Sequence, residues 1–133
     1  PIELLPHVET TVTGLAGSYR LVLITKGDLL HQERKLAQSG LGDLFDDVAI
    51  VSDKTVTTYQ TIFAEHPGGT DGAMMVGNSM RSDVVPAVAA GAWGVYVPHD
   101  LEWDLEKAAA PDNPRYRSIT DLGDLPPLVA EIG

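Results

Sequence analysis

The sequence predicts an α/β fold built on a mostly parallel sheet. Two observations predict it. Continuous apolar runs of strand length recur along the chain: LVLIT at 21–25, VAIVS at 48–52, AMMV at 73–76 and GVYVP at 94–98. Segments with apolar residues at helical spacing lie between them. Continuous runs suit strands covered on both faces. Their alternation with helices implies parallel pairing through right-handed crossovers.

Each element has a local reason. Val8, Val12 and Leu15 recur at helical spacing, and Pro6 sits near that helix start, where its missing N–H costs little. Gly17 and Ser18 end the helix. After LVLIT comes the turn Lys26-Gly27-Asp28, with Asp28 as N-cap. Leu29, Leu30, Glu33, Leu36 and Ala37 continue as a helix, and Gly40 is placed to stop it. Beyond VAIVS, Tyr59, Ile62 and Phe63 mark a helix that follows Thr55-Val56-Thr57 and ends at His66-Pro67-Gly68-Gly69. After AMMV a helix is expected over 83–90, with Pro86 in its first turn. Beyond GVYVP, a loop with Pro111 and Pro114 leads to a short apolar run at Ile119, and 125–132 closes as a helix.

Composition narrows the function. A chain of 133 residues, 44 % apolar, fits one domain spanning 1–133 with a real core. A net charge of −10 repels nucleic acid and anionic membranes, so neither is expected as a partner. The acidity is spread out; its nearest approach to a cluster is Asp100 to Glu106, read as a solvated helix face. There is no cysteine, which excludes disulfides and thiolate zinc sites. No apolar run reaches the roughly 18 residues of a membrane span. No signal peptide is visible, and the cytoplasm is the expected compartment. The start at Pro1, with no methionine, reads as processed or cut.

In an open α/β sheet, sites form just after the strands. That singles out Thr25-Lys26-Gly27, Ser52-Asp53-Lys54, Gly77 to Asp83 and Pro98 to Asp100. A hydroxyl, an ammonium and a carboxylate at one sheet edge suit a phosphoryl group with a divalent cation. The lysine offsets phosphate charge and the hydroxyl donates to a phosphate oxygen. The carboxylate suits Mg²⁺, a hard ion that prefers oxygen and keeps several waters. Each residue also has a plainer reading. Thr25 ends a strand, Lys54 is a loop lysine, Asp83 is a helix N-cap, and Gly77-Asn78 makes a turn. His7, His31, His66 and His99 lack ligand spacing. Met74 and Met75 read as core filler and Trp93 as packing at the sheet end; Trp103 reads as packing, with substrate or cap contact the competing role. No G-x-S-x-G elbow or Walker pattern occurs.

Three stretches, in order, resemble motifs of one family. LVLITKGD resembles the second motif of the haloacid dehalogenase (HAD) superfamily of hydrolases, an apolar strand ending in Thr or Ser. SDKTVTTYQTIF resembles its third, a lysine just before a helix. VGNSMRSDVVPAVAAGAWGVYVP resembles its fourth: Gly-Asp, a spacer, Asp, then an alanine-rich helix and a Gly turn. The match runs from about Pro6 to Pro98. The resemblance implies a Rossmann-like three-layer sandwich and Mg²⁺-dependent hydrolysis of a small phosphorylated molecule. On it, Thr25 and Lys54 are catalytic, and Thr25, Lys26 and Lys54 bind phosphate. Asp83 and Asn78 hold the metal.

The sequence departs from the family in three places. Asn78 stands where the family has its first acid, and brings a carbonyl without charge. No Pro-Asp pair follows Lys54. The first motif, a strand ending Asp-x-Asp that supplies nucleophile and general acid, is absent; Asp43, Asp46 and Asp47 precede a strand instead. The chain therefore resembles the C-terminal part of a core domain, without its cap and first-motif strand. In the family that strand lies between the strands ending at Thr25 and near Gly77. An upstream segment, a partner chain or rearranged packing is expected to cover those edges. A phosphatase, a dehalogenase and a non-catalytic binding module are the readings this leaves.

Overall fold

A computed structural model of the chain describes residues 7–98 and 108–132. Pro6, His99, Trp103 and the acidic stretch from Asp100 to Glu106 lie outside the described residues. In chain order the elements are α1 (Val8–Leu15), β1 (Val22–Lys26), α2 (Leu29–Ser39), a 3₁₀ turn (Leu41–Leu44), β2 (Asp47–Val51), α3 (Val56–Ala64) and β3 (Met74–Gly77). There follow a π-helical turn (Met80–Val84), α4 (Val85–Ala89), β4 (Trp93–Tyr96), β5 (Tyr116–Ser118), a second 3₁₀ turn (Leu122–Asp124) and α5 (Leu125–Ile132). The order alternates as expected, and among the described residues all three strand pairings are parallel.

The chain divides into two compact units. The first comprises residues 1–53 and 121–133. Its sheet is β1 beside β2, with Val22 opposite Asp47 and Lys26 opposite Val51. The caps are those the sequence indicates. Asp28 accepts the His31 N–H at 3.1 Å, and Gly40, at φ 69°, closes α2 in the left-handed conformation. α2 packs on β2, whereas α1 packs against α5. The described strand residues Val22 to Thr25 are accordingly half-buried, where the continuous apolar run predicts cover on both faces. Leu29 and Leu30, in the first turn of α2, stay more than half exposed.

The second unit comprises residues 54–120. Its sheet runs β3-β4-β5, with Met74 opposite Trp93 and Gly94 opposite Tyr116. Here lies most of the buried apolar side-chain volume. Met80, Val84 and Val88 recur every four residues and form one buried stripe, against which Tyr96 and Tyr116 pack. Gly94 is glycine for contact: a Cβ there would lie 2.6 Å from Val88 and 3.1 Å from the Val84 carbonyl oxygen. The side chains of Val84 and Val88 reach the strand backbone at this point because the strand has no side chain in the way. Trp93, half-buried at the start of β4, faces the guanidinium groups of Arg115 and Arg117 at 5.3 and 5.1 Å from its ring.

The expected helix over 83–90 begins earlier and less regularly. Ser79 is its N-cap, accepting the Ser82 N–H at 3.0 Å. The first turn is π-helical, and regular α-helix starts only at Val85. Asp83 is thus interior to the turn and not its cap.

Candidate functional site

In the second unit the chemistry gathers at the carboxyl end of β3. Lys54 Nζ lies 2.8 Å from Asp83 Oδ1, and the two side chains are 16 % and 5 % exposed. The Ser79 amide donates to Asp83 Oδ2 at 3.1 Å. Both carboxylate oxygens are therefore engaged, one by a charge and one by backbone. Immediately after Lys54, Thr55 and Thr58 form a capping box at the start of α3, exchanging side chain-to-backbone hydrogen bonds. Lys54 is not a solvated loop lysine.

Gly77 makes this arrangement fit. A Cβ on Gly77 would stand 2.2 Å from Asp83 Oδ2 and 2.5 Å from its Cγ. The carboxylate lies against the bare α-carbon at the strand end. Asn78, the next residue, is exposed.

Tyr59 is fully buried in α3, and its hydroxyl donates to the Ser82 carbonyl at 2.7 Å. In a regular α-helix the donor to that carbonyl would be residue 86, a proline, which has no N–H. Burial, followed by the neighbouring Asp83 carboxylate, pushes the Tyr59 phenol far above its ordinary range. It remains a neutral donor.

Thr25 and Lys26 belong to the first unit, at the end of β1. The Thr25 hydroxyl donates to Gln32 Oε1 at 3.3 Å, and Gln32 Nε2 donates to the Lys26 carbonyl at 3.3 Å. Gln32 thus braces the loop from the first turns of α2. Lys26 Nζ lies 3.6 Å from Asp53, and both side chains are more than half exposed. Gly27, at φ 151°, takes a conformation that residues with a Cβ rarely adopt. The acids before β2 have local partners. Asp46 accepts the Leu21 N–H at 2.7 Å, and Asp47 accepts the Val48 N–H at 2.8 Å.

Sequence reasoning did not single out Gln32 or Tyr59 for the site, and it marked the loop from Gly77 to Asp83 without giving Ser79 a role in it. Ser79 had a legible signal, a serine three residues before a backbone amide to cap. Tyr59 did not, because its partner is 23 residues away.

The donors of the second unit fit Mg²⁺ in part. Among the described residues no three of His, Asp and Glu gather into a cage for an ion. A hard ion that keeps its waters needs only one or two carboxylates beside a substrate phosphate. A carboxylate has about four lone-pair sites, so Asp83 retains acceptor capacity beside Lys54 and Ser79. Asp83 is a carboxylate that could ligate such an ion, and Asn78, exposed just after β3, could add a neutral carbonyl.

No family model matches the sequence, and no significant relative is found among curated proteins. Solved structures do match. A haloacid dehalogenase-like family hydrolase from Xanthomonas campestris aligns at TM-score 0.83 and 40 % identity, over 99 % of this chain and 52 % of that one. The HAD-hydrolase YfnB from Bacillus subtilis, solved bound to magnesium, aligns at 0.76 and 20 % identity, over 96 % and 56 %. A 2-haloacid dehalogenase from Pseudomonas syringae aligns at 0.75 and 22 %, over 98 % and 55 %. The chain spans about half the length of each of these structures. Nearly end to end along its own length, the chain has the α/β fold of the haloacid dehalogenase superfamily.

Proposed function

We propose that this chain is the core segment of a Mg²⁺-dependent phosphatase. It would act in the cytoplasm on a small phosphomonoester, through an aspartyl-phosphate formed on an aspartate outside this sequence. The observation that carries the reading is the buried Lys54–Asp83 pair at the end of β3. A cation and a carboxylate held 2.8 Å apart in a mostly dry site can serve a phosphoryl group and a metal side by side. Lys54 would offset charge on the phosphate and nucleophile, and Thr25 and Lys26 would bind phosphoryl oxygens. Asp83, with Asn78, would hold Mg²⁺, which when bound would neutralise phosphate charge. Among the described residues β1 and β3 each have one ladder partner. An upstream segment or a partner chain would supply the further strand.

A second reading has its own observation. Both Asp83 oxygens already accept protein donors, and the adjacent position is a neutral amide. In a metal-free, dehalogenase-type hydrolase Asp83 would serve only to hold Lys54. A non-catalytic binding module is the third outcome, since a fold does not set a function.

The test is hydrolysis of an aryl phosphate with and without Mg²⁺, by this chain and by the chain extended with its native upstream sequence. Activity in the longer form, dependent on Mg²⁺ and lost in Asp83→Asn, supports the phosphatase. Turnover of 2-haloacids without metal supports the second reading. Neither activity in the longer form supports the module.

A further inference from the structure

We propose that the Tyr59 hydroxyl positions the Lys54–Asp83 pair, acting as a brace between the helix that follows Lys54 and the turn that carries Asp83. The significance of the pair rests on the function proposed above; the brace itself rests on geometry.

Tyr59 sits one turn into α3, whose capped start fixes the backbone beside Lys54. Its ring is fully buried and stacks on Phe63, with centroids 5.9 Å apart. Its hydroxyl reaches the carbonyl of Ser82, the residue immediately before Asp83. That carbonyl belongs to the π-helical turn, in which Ser79 O accepts both the Asp83 and the Val84 amides, at 3.0 and 3.2 Å. A π-turn is rare, occurs mostly as a single turn within an α-helix, and is frequent at functional sites. Here the turn receives a side-chain hydrogen bond from α3. One bond at 2.7 Å ties the element next to the ammonium to the element bearing the carboxylate. The ring alone fills the core; the oxygen sets the angle of the turn, and with it the direction of the Asp83 side chain.

Two variants of the full chain separate these roles. Tyr59→Phe keeps the ring and removes the oxygen. Phe63→Leu weakens the same aromatic packing and leaves the oxygen. Amide hydrogen exchange is read at Ser79, which donates to Asp83, and at Trp93, which donates to Ala73 in the same unit. Tyr59→Phe is expected to lower protection at Ser79 by about three- to tenfold, the worth of one hydrogen bond, with Trp93 unchanged. Phe63→Leu is expected to lower both together. In parallel, the Mg²⁺ concentration at the midpoint of a thermal-shift titration is expected to rise by a similar factor in Tyr59→Phe only. Unchanged protection at Ser79, or the same pattern in both variants, overturns the brace. Lost protection with an unmoved Mg²⁺ midpoint overturns its positioning role. If the unmodified chain shows no Mg²⁺-linked shift, the metal reading fails, and the exchange pattern still decides the role of Tyr59.

Discussion

Gly77→Ala tests the site at its tightest point. The glycine has no left-handed φ, so alanine meets no backbone penalty there and the effect isolates one contact. The new methyl carbon would overlap Asp83, at 2.2 Å from Oδ2 and 2.6 Å from Cβ. Asp83 is 4 % exposed and held at both oxygens, so it has no free rotamer to retreat into. The molecule has two responses. Forcing a methyl into a packed core costs about 1–3 kcal/mol. Releasing Asp83 breaks a buried ion pair, about 3–5 kcal/mol, less here because Lys54 keeps some contact with water. The cheaper response wins, which puts the loss at about 2–3 kcal/mol. Against a total stability of about 5–15 kcal/mol this is large. In urea, with a slope of about 2 kcal/mol/M, the midpoint falls by about 1–1.5 M. A midpoint within about 0.25 M of the parent, equivalent to roughly 0.5 kcal/mol, would refute the contact and the reason given for this glycine.

Three further outcomes are expected. Thr55→Ala removes the capping box of α3 and lowers stability by about 1 kcal/mol in a urea melt; Thr55→Ser retains most of it. Gly14→Ala, inside α1 with nothing within 4 Å of the added carbon, raises stability by about 0.5–1 kcal/mol in the same assay. The third concerns alkaline pH. The folded pKa of Tyr59 lies above its unfolded value of 10.0, so the folded state holds that proton more tightly. Its contribution is complete below pH 10 and declines above it, by about 1.4 kcal/mol per pH unit, until the folded group also ionises. Denaturation midpoints compared between pH 9 and 11 should show an alkaline loss that Tyr59→Phe lessens; equal losses would contradict it.

What the sequence determined by itself is local. Asp28 and Gly40 declare the ends of α2 because a cap binds amides or carbonyls within four residues of itself. The apolar runs declare strands because a strand covered by helices has no polar face to show. The order of three motifs along the chain pointed to the superfamily to which the matching structures belong. Lys54, Asp83 and Gly77 could be singled out in the same way, as residues at strand ends.

Tertiary structure alone decided how those residues meet. That Asp83 pairs with Lys54, 29 positions away, and lies on the bare α-carbon of Gly77 depends on how the π-helical turn packs on β3 and α4 on α3. The π-helical turn carries no sequence signature of its own; a serine cap and a tyrosine from another helix meet there only in the fold. The half-burial of β1 likewise departs from its composition, because LVLIT states how much apolar surface the strand has and not which helices cover it. Capping and periodicity are set by neighbours in the chain. Burial and long-range pairing are set by volume, which the chain acquires only when it is folded.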